Sequence, residues 1–145
     1  MEARYLVTGV NGFSGRHLAA RLAHKAGSVA LGTGRQPRST IPLHGYRACD
    51  LTDHDAVIDM VRWARPDVVF HLAGLNGMAA PDAIARVNVA GFEHLCRALR
   101  DQARGRQVRL IVIGSAAEFG TRATANVPLT EDAACLPDTA YGRSK

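Results

Sequence analysis

The sequence has few cysteines, few aromatic residues and no long apolar run, and each shortage excludes a class of protein. Its three cysteines, Cys49, Cys96 and Cys135, are widely spaced and include no Cys-x-x-Cys pair, so neither a disulfide framework nor a zinc site is indicated. No apolar run approaches the roughly 20 residues that a membrane-spanning helix needs. The first residues form a strand pattern that leads straight into a glycine loop, which is unlike a signal peptide. We therefore expect a cytoplasmic protein with no membrane partner.

The chain also lacks a concentrated basic surface, although its formal net charge is +5. The 18 lysines and arginines are dispersed, and aromatic residues, at 6% of the chain, do not alternate with them. A platform for single-stranded nucleic acid requires both a basic groove and stacking aromatics. We expect no nucleic-acid partner, and we interpret most arginines as solvated, with some directed at an anionic cofactor or substrate.

Apolar strand patterns alternate with helical patterns along all 145 residues. This alternation is typical of βαβ units around a parallel sheet. It predicts an α/β fold, a Rossmann-type doubly wound parallel sheet of at least five strands, in one domain over residues 1–145. Strands are predicted at residues 4–8, 28–33, 46–49, 67–72 and 108–114, and helices at 13–26, 53–63 and 82–104. After a predicted loop at 120–138, a last helix has barely begun at Lys145, so we expect the N-terminal part of a longer polypeptide.

A glycine-rich loop lies between the first predicted strand and the first predicted helix. Gly9 permits a tight turn, Gly12 lets the backbone approach a pyrophosphate, and Gly15 lets the helix pack closely. The free amides at the helix start, with the helix dipole, favour phosphate binding. The loop predicts dinucleotide binding in preference to a structural turn, and we assign Asn11 and Phe13 to the same site.

The end of the second predicted strand bears on which dinucleotide binds. NAD sites usually place an acidic residue about 20 residues beyond the glycines, where it holds the ribose 2′-hydroxyl. Here that region carries Arg35, and no acidic residue occurs between Glu2 and Asp50. A guanidinium group can chelate a 2′-phosphate, which a carboxylate would repel. We therefore predict NADP, with NAD as the alternative; Arg35 facing solvent is the competing interpretation.

The ends of the third and fourth predicted strands supply further candidates. Asp50, followed by Leu51, is placed to accept a hydrogen bond from an adenine amino group. Ala73 and Gly74 have small side chains, so backbone there can pass close to a cofactor. His71 is better explained as a packed, hydrogen-bonded histidine than as a catalytic one.

Tyr141 and Lys145 lie four positions apart in the last predicted helix. Residues at this spacing share one face of a helix, so the phenol and the ammonium group are expected to lie side by side. The pair indicates proton-transfer chemistry next to the predicted dinucleotide site.

The chain as a whole resembles the extended short-chain dehydrogenase/reductase family, of the NAD-dependent epimerase/dehydratase type. The motifs that carry the resemblance are Thr8-Gly9-x-x-Gly12-Phe13-x-Gly15, Asp50-Leu51, His71-Leu72-Ala73-Gly74, Asn88-Val89-x-Gly91, Ser115-Ala116-Ala117-Glu118-Phe119-Gly120, Pro128-x-Thr130-Glu131 and Tyr141-Gly142-x-Ser144-Lys145. The resemblance places Leu72 and Asn88 at the cofactor site, where Asn88 more plausibly ties its helix to the fourth strand than relays a proton. It also implies that the family's C-terminal substrate domain is absent.

The resemblance further implies a mechanism. Tyr141 would be the general acid/base, Lys145 would hold the nicotinamide ribose, and Ser115 would hydrogen-bond the reacting sugar oxygen. The 4,6-dehydratases carry Asp-Glu directly after the serine or threonine, whereas this chain has Ala116 and Ala117. A dehydratase is therefore not expected.

The leading hypothesis is an NADP-dependent oxidoreductase that acts on a nucleotide sugar, most like the 4-ketoreductases. A 4-epimerase that retains NAD is the alternative within the family. From a different class, a catalytically silent dinucleotide-binding regulator, or a fragment that binds without turnover, stays open. Family members commonly dimerise through the helix after the fourth strand, so a homodimer seam that includes Leu95, Cys96 and Leu99 is a further expectation.

Overall fold

The computed structural model describes residues 2–103, 105–124 and 128–145, with backbone alone for 122–124. Five strands form one parallel sheet in the order β3-β2-β1-β4-β5. They are β1 (Ala3–Thr8), β2 (Ser28–Gly34), β3 (Gly45–Ala48), β4 (Val68–His71) and β5 (Arg109–Val112). The strand order reverses between β1 and β4, and ligands of doubly wound sheets bind outside the carboxyl ends of the strands at such a point. The predicted fold class is confirmed.

The helices connect these strands in the predicted sequence. They are α1 (Phe13–Ala23), α2 (His54–Ala64), α3 (Pro81–Ile84), a π-helical segment (Ala85–Ala90), α4 (Gly91–Ala103), a 3₁₀ helix (Ala116–Thr124) and α5 (Ala140–Arg143). The predicted helix at 82–104 is thus present with a π-helical interruption, and its last residue lies outside the described part of the chain. Residues 120–124, predicted as loop, instead continue the 3₁₀ helix, which Gly120 interrupts at φ 58°.

The side chain of Asp53 determines where helix α2 begins. The Asp53 carboxylate accepts hydrogen bonds from the amides of Asp55 and Ala56, at 3.1 and 3.0 Å. These bonds satisfy two of the amides that a helix start leaves without partners. The helix ends at Arg65, whose φ of 43° is left-handed. The helix predicted at 53–63 is thus present, and Asp53 is its cap.

The sheet has a hydrophobic core on each face. Helices α2 and α4 cover one face, and α1 covers the other. Leu95 is fully buried and Leu99 is 7% exposed, both within the core that α4 shares with α2 and the sheet. Burying a leucine side chain contributes about 1.5–3 kcal/mol, and a dimer seam would need both side chains exposed. The prediction that Leu95 and Leu99 form such a seam is therefore wrong.

Among the residues that the structure describes, no helix is long and apolar enough to cross a membrane.

Candidate active site

The glycine loop packs tightly between the end of β4 and the start of α1. Gly9 has a φ of +66°, and a Cβ atom there would lie 2.8 Å from the backbone N and Cα of Ala73. A Cβ at Gly15 would lie 2.8 Å from the Cα of Val10, so α1 can approach the loop only without a side chain at that position. Gly12 precedes the helix in extended conformation, and no side chain caps the first amides of α1. These amides are available to an anion.

A cleft of about 450 Å³ opens at the carboxyl ends of β1, β2 and β4, beside the glycine loop. Its walls are formed by Thr8, Gly9, Asn11, Gly12, Thr33, Gly34, Arg35, Gln36, Cys49, Leu51, Leu72, Ala73, Gly74, Leu75 and Val87. Eight of the predicted cofactor residues are among these, namely Gly9, Asn11, Gly12, Arg35, Leu51, Leu72, Ala73 and Gly74. The cleft lies at the point where the strand order reverses, as expected for a dinucleotide site.

The other four predicted cofactor residues lie next to the cleft and do not line it. Gly15 supports the loop from the helix side. Phe13 is 76% exposed, and the centroid of its ring lies 5.4 Å from the guanidinium carbon of Arg16. The Asp50 carboxylate accepts hydrogen bonds from the amide and hydroxyl of Thr52, at 2.9 and 2.8 Å. The bond from the Thr52 amide lowers the pKa of Asp50, an effect that burial opposes and that the nearby Arg35 reinforces.

The fourth residue, Asn88, lies in the π-helical segment and braces the wall of the cleft from behind. Its carboxamide accepts a hydrogen bond from the Leu75 amide at 2.7 Å and donates to the Leu75 carbonyl at 3.0 Å. A Cβ at Gly74 would lie 3.2 Å from the Asn88 Oδ1 atom. These bonds tie the π-helical segment to the residues that follow β4, which is the structural contact expected of Asn88.

His71 is buried and hydrogen-bonded at the end of β4. The Thr8 hydroxyl accepts a hydrogen bond from the Ala73 amide at 3.1 Å and lies 2.9 Å from His71 Nδ1. The Thr8 hydroxyl therefore links the imidazole of His71 to the backbone of Ala73. Burial, and secondarily the charge of Lys145, lowers the pKa of His71 to about 4. His71 is a packed, hydrogen-bonded histidine, as predicted.

A second cavity, of about 290 Å³, adjoins the cleft. Its walls are formed by Ser14, His71, Leu72, Ala73, Gly74, Leu75, Asn76, Ile113, Gly114, Tyr141 and Lys145. Residues 72–75 line both spaces, so one wall separates the cleft from the cavity. The structure therefore brings the predicted Tyr141–Lys145 pair to the edge of the predicted dinucleotide site.

The short helix α5 positions this pair. The Thr139 hydroxyl caps the helix by accepting a hydrogen bond from the Gly142 amide at 2.9 Å. Gly142 packs against the Ala117 carbonyl, where a side chain would clash. The Lys145 Nζ atom lies 6.0 Å from the centroid of the Tyr141 ring. The phenol ring and the ammonium group thus lie near each other, as the spacing predicts, although α5 ends at Arg143 and Lys145 follows it.

Ser115 follows the cavity residue Gly114 and is not itself part of the lining. Its hydroxyl accepts a hydrogen bond from the Ala117 amide at 3.2 Å, and its amide donates to the Glu118 carboxylate at 2.6 Å. Ser115 therefore lies just before the 3₁₀ helix and caps its start, and its hydroxyl keeps a hydrogen that it can donate.

Sequence reasoning missed several residues of these walls. Thr8 and Ser14 lie within the glycine motif, and their position there is a signal that could have found them. Val87 and Asn76 carry no such signal, because only the tertiary fold brings them to the site. Among the described residues, no group of three or more His, Cys, Asp or Glu side chains could hold a metal ion.

Comparison with known proteins agrees with this geometry. The model of the NAD dependent epimerase/dehydratase family matches residues 5–145. The chain is 32% identical over 151 aligned positions to GDP-6-deoxy-D-mannose reductase of Pseudomonas aeruginosa, covering 100% of this chain and 44% of that protein. The chain thus spans less than half the length of this relative.

Solved structures give the same result. Uronate dehydrogenase from Agrobacterium tumefaciens, a mutant of which was crystallised with NAD, superimposes with a TM-score of 0.82 at 28% identity, over 99% of this chain and 52% of that one. A candidate epimerase from Burkholderia cenocepacia J2315 superimposes with a TM-score of 0.83 at 34% identity, over 98% of this chain and 46% of that one. A match over nearly all of the sequence, with the glycine loop and the Tyr141–Lys145 pair on adjoining walls, establishes that the chain belongs to the NAD dependent epimerase/dehydratase family.

Proposed function

We propose that this protein is an NADP-dependent oxidoreductase that reduces a 4-keto nucleotide sugar, with residues 1–145 as its dinucleotide-binding domain. The observation that carries the proposal is the wall at residues 72–75, which is common to the cleft and to the Tyr141–Lys145 cavity. A dinucleotide lying in the cleft would present its reactive end to Tyr141. The relation to GDP-6-deoxy-D-mannose reductase supports a nucleotide sugar as substrate.

The cleft fits a dinucleotide on its own geometry. Gly9 and Gly12 have no side chains that would keep a pyrophosphate away from the backbone. The uncapped amides at the start of α1 lie next to this loop and can bind the phosphates. Arg35 lines the cleft at the end of β2, where the ribose 2′ position is expected. Leu51 and Ala73 supply apolar walls for the adenine and the nicotinamide halves.

The described side chains can support reduction of a ketone in three ways. NADPH, when bound, supplies the hydride. Tyr141 donates its phenolic proton to the ketone oxygen, so that the oxygen becomes a hydroxyl group as its carbon is reduced. The positive charge of Lys145 stabilises the negative charge left on the phenolic oxygen. The Ser115 hydroxyl, which already accepts from Ala117, donates its own hydrogen to the same substrate oxygen.

Cofactor preference is tested by titrating the protein with NADPH and with NADH. We expect tighter binding of NADPH, and a loss of about 10- to 100-fold in NADPH affinity in Arg35→Ala with little change for NADH, because charge-assisted hydrogen bonds to the 2′-phosphate disappear. Arg21→Ala is the matched control, since Arg21 is an exposed arginine of α1 away from the cleft. Tighter binding of NADH by the unaltered protein refutes the proposed preference and favours the 4-epimerase.

Catalysis is tested by following NADPH oxidation with a GDP-4-keto-6-deoxyhexose. Tyr141→Phe should lower kcat by about 10²- to 10⁴-fold, the usual contribution of a positioned acid, while NADPH affinity is retained. Tyr5→Phe is the matched control, because the Tyr5 hydroxyl contacts Lys25 and lines neither space. NADPH binding without turnover in the unaltered chain would instead support the silent dinucleotide-binding regulator or fragment.

The proposal extends to location and assembly. The cytoplasm, where thiols stay reduced, suits the three free cysteines, Cys49, Cys96 and Cys135. A homodimer is also proposed, with contacts other than Leu95 and Leu99. Light scattering measures the assembly, and a monomer at all concentrations would refute the dimer.

A further inference from the structure

The loop that carries Arg35 is fastened to the glycine loop by one side chain. The Asn11 carboxamide donates to the Gln36 Oε1 atom at 2.6 Å and to the Arg38 carbonyl at 3.0 Å. Its oxygen accepts from the amide and the hydroxyl of Thr40, at 2.9 and 3.3 Å. Every hydrogen-bonding position of this carboxamide is used on a segment 25 to 29 residues away.

A second side chain holds the same loop from the other side. The Tyr46 hydroxyl, on β3, lies 3.1 Å from the Gly34 carbonyl and 2.6 Å from the Gln36 carbonyl. Arg35 is the residue between these two carbonyls. Burial raises the pKa of Tyr46, so the hydroxyl keeps its hydrogen and can donate to these carbonyls.

The position of Asn11 gives this arrangement a consequence for binding. Asn11 lies between Gly9 and Gly12, the residues assigned to the pyrophosphate, whereas Arg35 is assigned to the 2′-phosphate. Both groups belong to the adenosine half of one dinucleotide, so the distance between them is limited. A cationic residue whose backbone is already held in place binds with a smaller loss of conformational entropy than one on a mobile loop.

We propose that Asn11 and Tyr46 form a latch that fixes Arg35 relative to the glycine loop and thereby sets the selectivity for a 2′-phosphorylated dinucleotide. This inference rests on the proposed NADP dependence. Both are positioning residues, because they act through Arg35. The competing interpretation is that Asn11 and Tyr46 only stabilise the loop. Their loss would then weaken the binding of NADPH and of NADH equally.

The test compares the ratio of the NADH to the NADPH dissociation constants in Asn11→Ala and Tyr46→Phe. Each variant should lower this ratio about 3- to 10-fold, the effect of one or two net hydrogen bonds, mainly by weakening NADPH binding. Tyr5→Phe is again the matched control and should leave the ratio unchanged. In an Arg35→Ala background, neither latch substitution should alter the ratio further, because the residue through which they act is gone.

A second readout reports on the latch without any cofactor. Hydrogen exchange of the segment 35–42 should become faster in both variants, since the Thr40 amide loses its partner on Asn11 and the loop loses its bonds to Tyr46. An equal loss of affinity for both dinucleotides, or an unchanged ratio, would overturn the selectivity role. A ratio that still falls in the Arg35→Ala background would also overturn it. Preference of the unaltered protein for NADH would refute the NADP proposal itself, and that result appears before any variant is measured.

Discussion

Asn88 and Ser144 are joined by a hydrogen bond of 3.0 Å from the Asn88 carboxamide to the Ser144 hydroxyl, across 56 positions of sequence. The Ser144 hydroxyl in turn donates to the Tyr141 carbonyl at 2.7 Å. A chain of hydrogen bonds therefore runs from the backbone of Leu75, on the common wall, through the side chains of Asn88 and Ser144 to the carbonyl of Tyr141. Such π-helical segments are frequent at functional sites. Here the segment ties the proposed catalytic turn to the proposed cofactor cleft.

This link predicts a graded loss of stability. Asn88→Ala should lower the free energy of unfolding by about 2–3 kcal/mol, because it leaves the Leu75 amide and carbonyl without their partners in a largely buried place. Ser144→Ala should cost about 1 kcal/mol, the net value of a typical hydrogen bond. Asn76→Ala is the control, since its side chain makes one exposed bond to Met78 and should matter by less than about 0.5 kcal/mol. Urea denaturation measures all three, and equal effects at positions 88 and 76 would contradict the bracing role.

Two substitutions separate the effect of the left-handed conformation of Gly9 from the effect of its close approach to the end of β4. Gly9→Ala introduces a left-handed alanine and also a Cβ 2.8 Å from the Ala73 backbone. Gly27→Ala introduces a left-handed alanine alone, since nothing lies within 4 Å of its Cβ, and should cost about 1–2 kcal/mol. Gly9→Ala should cost more than Gly27→Ala and abolish dinucleotide binding, whereas Gly27→Ala should bind normally. Similar thermal shifts and retained binding in both variants would refute the close approach of the loop to β4.

The cap of α2 gives a third prediction. Asp53→Ala removes two hydrogen bonds to the first amides of the helix and should cost about 1 kcal/mol. Asp59→Ala removes an acidic residue from the same helix, where it forms only an exposed pair with Arg62, and should cost less than about 0.5 kcal/mol. Thermal or urea unfolding distinguishes them, and an equal loss would mean that general charge, rather than capping, determines the effect.

The order of strands and helices was predictable because it depends on local patterns. The cap at Asp53 and the proximity of Tyr141 and Lys145 are set by spacings of two to four residues, which a sequence displays directly. Helix α4 shows where such prediction fails. An apolar stripe on a helix can pack against its own sheet or against a partner subunit, and the sequence does not distinguish the two. In the structure, Leu95 is covered by the sheet. The contacts of Asn11 with the loop at 36–40 depend on the fold, since strands β1 and β2 must first lie side by side. Ser115 was assigned from a motif, and the motif does not show that its hydroxyl accepts from Ala117.

The buried imidazole of His71 predicts a loss of stability in acid. Its pKa of about 4 in the folded protein lies below the ordinary value of 6.5, so between these pH values the unfolded chain binds more protons than the folded one. The free energy of unfolding must then rise with pH through this window and become level above about 6.5. The full effect, from pH 7 down to pH 4, is about 3 kcal/mol at most. Asp50, whose pKa is lowered from a value of 3.8, adds a loss of the same sign that falls mostly below pH 4.

Substitution isolates the contribution of His71 to this pH dependence. His71→Asn removes the ionising group while keeping a hydrogen-bonding partner for the Thr8 hydroxyl, so the rise between pH 4 and 6.5 should become shallower, as measured by urea denaturation at each pH. His17→Asn removes an exposed histidine that contacts Phe13 and serves as the control. Lys145→Met should raise the pKa of His71 only part of the way to 6.5, since burial is the larger cause and the lysine charge the smaller, and an NMR titration of the ring follows this directly. An unaltered slope in His71→Asn, or a pKa of His71 near 6.5 in the native protein, would show that the imidazole is not held neutral by its burial beside Thr8.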